Sequence, residues 1–291
     1  MRPTPDEALA VEKTLGARPK AWEPVRTGSH TPARRWVVTL PDGSTAFVKA
    51  AVDDLTTEWL RAEHNVYESL SGPFLPRLLG WRDRNDRPVL AIEDLSGAYW
   101  PPPWNSARID AVLGSLEDVA HTPPPPDLVT ITEMMPELNG WTQISESPEP
   151  ALGLGLFTEA WLDEALPTLL AAEAGAHLDG DALLHFDVRS DNLCVRGDRA
   201  VLVDWNWACL GNPVFDVAAW LPSLQAEGGP APEAILPEVD SGIPAVLAGF
   251  WVSHAARPPI PTAPHVRPMQ LKQARFALPW AIRALELPPM L

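Results

Sequence analysis

Lysine, cysteine and tyrosine are scarce in this chain, and long apolar runs are missing. The 291 residues include two cysteines and two tyrosines, and only four lysines (Lys13, Lys20, Lys49, Lys272) among 22 basic residues. Cys194 and Cys209 form no Cys-x-x-Cys pair and no metal-ligand cluster, so two free thiols in a reducing cytoplasm are expected. No apolar run approaches the roughly 20 residues that cross a bilayer. The first residues, MRPTPDEALAVEK, lack the apolar core of a secretory leader. No membrane partner is therefore expected. Basic charge is also short. The net charge is -16, and such a surface repels phosphate backbones, which excludes nucleic acid as the expected partner. An acidic cleft would draw a cationic small molecule; the plainer reading is a solvated acidic surface.

What the chain does have is apolar content. Hydrophobic residues make up 46%, which is globular rather than disordered. The length suits two small domains or one large one, and there is no internal repeat. Residues 3–16 read as an amphipathic helix with Thr4 as N-cap, Pro5 at the first position and Glu7 completing a capping box; Gly16 ends it. Residues 35–40 and 45–51 read as strands joined by the turn Pro41-Asp42-Gly43. The small polar loop before them, Gly28-Ser29-His30-Thr31-Pro32, is of the kind that can fold over phosphates, although no Walker-type motif is present and plain loops are commoner. Residues 56–70 have helical period. Residues 89–95, VLAIEDL, form an apolar strand ending in acid, and Ser96-Gly97 after it mark a hinge between a mostly sheet part and a mostly helical part. Proline runs at 101–103 and 123–126 flank a helix over 106–121 as stiff connectors. Residues 128–139 and 141–150 are ambiguous. Helices are expected over 157–176, kinked or split at Pro167, after Asp216, over 243–256 and over 269–287.

The stretch LLHFDVRSDNLCVRGDRAVLVDW (residues 183–205) concentrates the chemistry. His185, Asp187, Asn192 and Asp204 are spaced by a loop and a hairpin turning at Gly197-Asp198, which would bring them together. Phosphoryl transfer needs a carboxylate for the attacking hydroxyl, an acid and an amide oxygen for Mg²⁺, and a cation on the phosphates. Asp187, Asn192, Asp204 and Lys49 match that list in type and order. Lys49 lies in the strand AFVKA, where the plain reading is an exposed edge residue. Glu63, mid-helix, is either a solvated residue or the ion partner of Lys49. A hydrolase using Asp187 and Asp204 as a carboxylate pair leaves Asn192 and Lys49 without roles.

HFDVRSDN followed by VLVDW resembles the aminoglycoside phosphotransferase family, a branch of the protein-kinase-like fold with the pattern H-x-D-x-x-x-x-N and then a strand ending in aspartate. AFVKA, EHNVYESL, VLAIEDLSG and GNPVFDVA extend the resemblance over most of the chain. The resemblance implies an α+β, bilobal fold. Residues 1–94 would form a small five-stranded antiparallel sheet with a helix, and residues 95–291 a larger, mainly helical lobe. ATP would lie between the lobes, with GTP open to the same backbone groups. Asp187 would orient the acceptor hydroxyl, and Asn192 and Asp204 would hold Mg²⁺. Lys49, paired with Glu63 rather than Glu58, would contact the α- and β-phosphates. Ser29, His30 and Thr31 would close over the phosphates, and the Glu93 carbonyl and Leu95 N–H would read the base. Asp216 would brace the catalytic loop, His185 would be scaffold, and Arg189 would either touch the γ-phosphate or substrate or cover the loop. Trp205 in place of Phe-Gly argues against a protein kinase. The implied function is an ATP-dependent O-phosphotransferase acting on an antibiotic-like hydroxyl acceptor and so conferring resistance. The alternatives are a metabolic kinase for a sugar, amino alcohol or nucleoside, and a nucleotide-binding regulatory pseudokinase. A monomer or homodimer is expected.

Overall fold

Thr4 opens the first element for the reason the capping box gives: its hydroxyl accepts from the Glu7 N–H and the Glu7 carboxylate accepts from the Thr4 N–H. The computed structural model describes residues 2–25, 32–84, 87–261 and 263–290. Helix α1 (Pro5–Leu15) ends at Gly16, whose φ of 69° is the left-handed stop that glycine supplies. Strands β1 (Ala21–Pro24), β2 (Arg34–Thr39) and β3 (Thr45–Ala50) follow, then α2 (Asp54–Ser69), β4 (Leu78–Arg82) and β5 (Val89–Glu93). They form one five-stranded antiparallel sheet in the order β1-β2-β3-β5-β4.

Alternation along the strands divides the sheet into two faces. Trp36, Val38, Ala46, Val48, Val89 and Ala91 pack with Val11 of α1 on one face. The chain crosses close there: a Cβ at Gly80 would lie 2.5 Å from the Thr14 carbonyl oxygen. On the other face Phe47, Leu90 and Ile92 meet Leu60, Val66 and Tyr67 of α2 and join the main core. That inner face is the one that carries Lys49, two residues from Phe47.

The rest is mainly helical. Helix α3 (Ser106–Ala120) is followed by a 3₁₀ turn (Ile131–Met134) and short helices α4 (Met135–Leu138), α5 (Gly140–Glu146) and α6 (Glu149–Leu152), which resolve the two segments left ambiguous by sequence. Helix α7 (Glu159–Gly175) runs on through Pro167 without splitting. Short strands β6 (Ala182–Leu184), β7 (Leu193–Arg196), β8 (Arg199–Leu202) and β9 (Cys209–Gly211) come next. β7 pairs with β8 around Gly197, and β6 pairs with β9. Helices α8 (Val214–Ala226), α9 (Pro232–Ile235), α10 (Gly242–Ala256) and α11 (Val266–Ala284) close the chain.

Helix α10 is buried on nearly every side, as an apolar helix without a polar face must be, and α5, α7, α8 and α11 surround it. Its approach to α5 is backbone on backbone, since a Cβ at Gly140 would fall 2.0 Å from the Gly249 carbonyl. The architecture is α+β and bilobal, of the protein-kinase-like kind. Cys194 and Cys209 are free and buried. Among the described residues no helix is long and apolar enough to cross a membrane.

Candidate active site

The loop between β6 and β7 is held from below by one residue of α8. Asp216, in the first turn of that helix, accepts the His185 N–H at 2.6 Å and the Phe186 N–H at 2.8 Å. Phe186 takes a left-handed φ of 70° and stacks on Phe215. A non-glycine residue holds that conformation only where its surroundings enforce it. Burial pushes the Asp216 carboxyl up to about 7, against the pull of the two N–H donors. Asp216→Asn turns one donor group toward those N–H groups and should cost about 1–3 kcal/mol. The raised carboxyl contributes stability that is complete below its ordinary value of 3.8 and lost as pH rises through about 7. Thermal unfolding across that range should therefore show a shallower slope in the variant.

His185 is fully buried and edge-on to Trp205. Its Nδ1 accepts the Asp187 N–H at 3.3 Å, so Nε2 carries the proton and donates to the Val203 carbonyl at 2.8 Å. Burial pushes its pKa down, which suits a neutral ring tying the loop to the end of β8.

The next residues form a compact polar cluster. Asn192 Nδ2 donates to the Asp187 carbonyl at 2.9 Å and to Asp187 Oδ2 at 2.8 Å. Its amide nitrogen is thereby committed to the loop, and its Oδ1 remains as a hard oxygen donor. Arg189 Nη2 donates to Asp187 Oδ2 at 3.1 Å, with Nε 3.0 Å from Asp187 Oδ1 and 3.5 Å from Asp191. Burial acts against the charge of Arg189, but Asp187, Asp191 and Asp204 outweigh it and hold the guanidinium protonated. Arg189 also reaches Met269 of α11 at 3.5 Å.

Asp204 does not end a strand, as the sequence suggested. β8 stops at Leu202, and Asp204 stands beyond it with φ 64° and ψ 54°. The turn aims its carboxylate at the sheet, where it contacts Lys49 Nζ. Lys49 Nζ also donates to both carboxylate oxygens of Glu63 at 2.8 Å, and Tyr67 donates to Glu63 Oε1 at 3.1 Å. Glu63 is buried, whereas Glu58 is exposed. Burial holds Glu63 above the usual carboxylate range, with Lys49 pulling the other way. Burial also opposes ionisation of Asp204, but Lys49 and then Arg35 outweigh it and hold that carboxyl at about 2.

A cavity of about 710 Å³ opens between the sheet and the helical lobe. Its apolar wall includes Val37, Phe47, Ile92, Leu95 and Val203, and Lys49, Arg35 and Asp204 stand at its polar end. The Glu93 side chain is tied to Arg196 at 2.9 Å and to the Arg77 N–H at 3.3 Å, and its own N–H donates to the Arg77 carbonyl at 2.9 Å. Among the described residues the Leu95 N–H has no hydrogen-bond partner. Lys49, Glu93, Leu95 and Asp204 line the cavity, and the loop carrying Asp187, Arg189 and Asn192 enters its wall through Ser190 and Asp191. Ser29, His30 and Thr31 lie outside the described residues. Sequence reading missed Arg35, Tyr67 and Met269. Arg35 had a signal: in RRWVVT it alternates with Val37 onto one face.

Among the described residues no cluster of three or more His, Cys, Asp or Glu forms a protein-only metal cage. Asp204 on the cavity wall and Asn192 in the loop beside it instead offer two hard oxygen donors. Mg²⁺ commonly takes only one or two carboxylates and completes its shell with phosphate and water, so this donor set fits it.

The fold recurs among solved structures at low identity. A thermostable mutant of aminoglycoside phosphotransferase APH(4)-Ia, solved with ADP and hygromycin B, matches with a TM-score of 0.59 at 14% identity, over 96% of this chain and 97% of that one. Choline kinase LicA from Streptococcus pneumoniae matches at 0.54 and 11% identity, over 91% and 93%. A putative fructosamine-3-kinase from Thermobifida fusca matches at 0.52 and 21%, over 94% and 98%. Comparison with curated protein sequences finds no significant match. A family model, however, matches residues 23–250, well over half of the chain. That span takes in most of the sheet, the cavity and the loop around Asp187, and with it the chain belongs to the phosphotransferase enzyme family and is a small-molecule phosphotransferase.

Proposed function

We propose that this phosphotransferase moves the γ-phosphate of ATP onto a hydroxyl of an antibiotic-like, cationic small molecule, and so confers resistance. One observation carries the reading. Lys49, Glu63 and Asp204 converge at the polar end of an apolar cavity, beside a loop that presents Asp187 and Asn192 together. The adenine lies against Val37, Phe47 and Leu95, with the Glu93 carbonyl and Leu95 N–H reading its edge. Lys49 steadies the non-transferred phosphates. Asn192 and Asp204 hold Mg²⁺, which supplies neutralisation of charge on the phosphates.

Asp187 accepts a hydrogen bond from the acceptor hydroxyl. The hydroxyl oxygen forms its bond to the γ-phosphorus, the bond to the ADP oxygen breaks, and the hydroxyl proton passes to Asp187. Asp187 Oδ2 already accepts from Arg189 and Asn192, and Arg189 Nε lies 3.0 Å from Oδ1, which fixes the direction of the carboxylate. That suits a loose transition state, in which positioning matters more than early proton removal.

The net charge of -16 favours a cationic acceptor, and the similarity in fold to an aminoglycoside phosphotransferase points the same way. The similarity to choline and fructosamine kinases favours a second reading, a metabolic kinase for an amino alcohol or sugar. A coupled ADP-release screen against aminoglycosides, other antibiotics, sugars and amino alcohols separates them. The expected result is turnover with a cationic antibiotic. Turnover confined to sugars or amino alcohols would move the chain to the second reading. Nucleotide binding without any turnover would favour a regulatory pseudokinase.

A further inference from the structure

Two cross-strand pairs stand side by side on the inner face of the sheet. Val37 is registered opposite Phe47, and Arg35 opposite Lys49. All four line the cavity, and the two pairs are one side-chain period apart, about 7 Å along the strands. The first pair is apolar and the second doubly cationic. Arg35 and Lys49 are both buried. Like charges directly opposite each other in an antiparallel pair are destabilising, and burial raises that cost. Glu63 answers Lys49 directly. Asp204 lies within the field of both cations, and the two together keep it ionised. Arg35 thus adds positive charge beside Lys49 at the part of the cavity where Asp204 stands, and positive charge there favours a polyphosphate.

The apolar pair followed by the cationic pair matches a nucleotide in order and spacing, base first and phosphates next. We propose that Arg35 is a second cationic contact for the polyphosphate of the bound nucleotide, working beside Lys49 and setting the preference of the site for di- and triphosphates over the nucleoside. This rests on the reading of the cavity as a nucleotide site. A guanidinium suits the task because its planar fork can meet two phosphate oxygens at once and stays charged when buried.

The test is the binding of adenosine, AMP, ADP and Mg·ATP to the wild type, Arg35→Gln and Arg35→Lys, by calorimetry on the full chain. In the wild type affinity should climb with phosphate number. In Arg35→Gln the ATP-over-adenosine ratio should fall about tenfold to a hundredfold, the range expected for a charge-assisted contact, with adenosine itself changed less than about twofold. Arg35→Lys keeps the charge without the fork and should fall between. If Arg35→Gln fails to fold, the same ratio in Arg35→Lys decides. A role confined to balancing Asp204 would lower the unfolding temperature and leave the ratio at the wild-type value, and that result overturns the inference alone. A wild type that binds none of the four overturns the nucleotide reading of the cavity and this inference with it.

Discussion

Asp187→Ala is expected to lower turnover by about 10²–10⁴-fold, the usual contribution of a positioned proton acceptor, while nucleotide affinity stays near the wild-type value. The separation follows from where the side chain sits. Asp187 touches Arg189 and Asn192 but does not line the cavity, whereas Lys49, Asp204 and Leu95 do. Removing the carboxylate leaves Arg189 still paired with Asp191, so the loop keeps one acidic partner. Asn192 keeps its bond to the Asp187 carbonyl. Steady-state kinetics with a confirmed acceptor, alongside nucleotide binding, measure both halves. A variant with wild-type turnover would remove Asp187 from the chemistry.

Lys49→Met should have two effects that a second substitution pulls apart. Catalysis should fall by about 10²–10³-fold, as for other lost contacts to developing charge. Stability should fall too, because taking one partner from a buried ion pair costs about 3–5 kcal/mol, and Glu63 has no solvent to turn to. The pH dependence has a definite sign. Glu63 already titrates above its ordinary value of 4.5, and Lys49 is the main force pulling it down. Without Lys49 its folded pKa rises further. The Glu63 contribution to the variant's stability should therefore be complete below about pH 4.5 and be lost as pH rises through the folded value. Adding Glu63→Gln should restore part of the stability and reduce the slope without restoring activity, since Asp204 still lacks its Lys49 contact. If the double variant regained turnover, Lys49 would be a structural cation only.

The elements themselves were largely legible in the chain. Thr4-Pro5-x-Glu7, the Pro-Asp-Gly turn and the period of residues 56–70 each specify local structure through groups a few residues apart. Helix and strand limits shifted by one to three residues, as with α8, which starts at Val214 and takes Asp216 into its first turn. The segments over 128–150 were not legible. Their short helices are fixed by distant partners, for example Glu173 of α7, whose carboxylate accepts from the Trp141 and Thr142 N–H groups at 2.8 and 3.0 Å. Strand β1 also escaped notice, since Ala21–Pro24 is only four residues long and its partner β2 starts only at Arg34.

At the site the division is physical. The sequence by itself determined the chemical inventory: which carboxylates, which amide and which rare lysine, and the five-residue step from Asp187 to Asn192 that one loop can present together. It also determined the net charge of -16. Only the tertiary structure decided which charges meet. Lys49 and Asp204 are 155 residues apart, and Arg35 faces the cavity because an antiparallel register places it opposite Lys49. Charge pairing across such distances depends on how sheet, helix and hairpin pack, and a buried charge holds its form only through the neighbours that packing supplies.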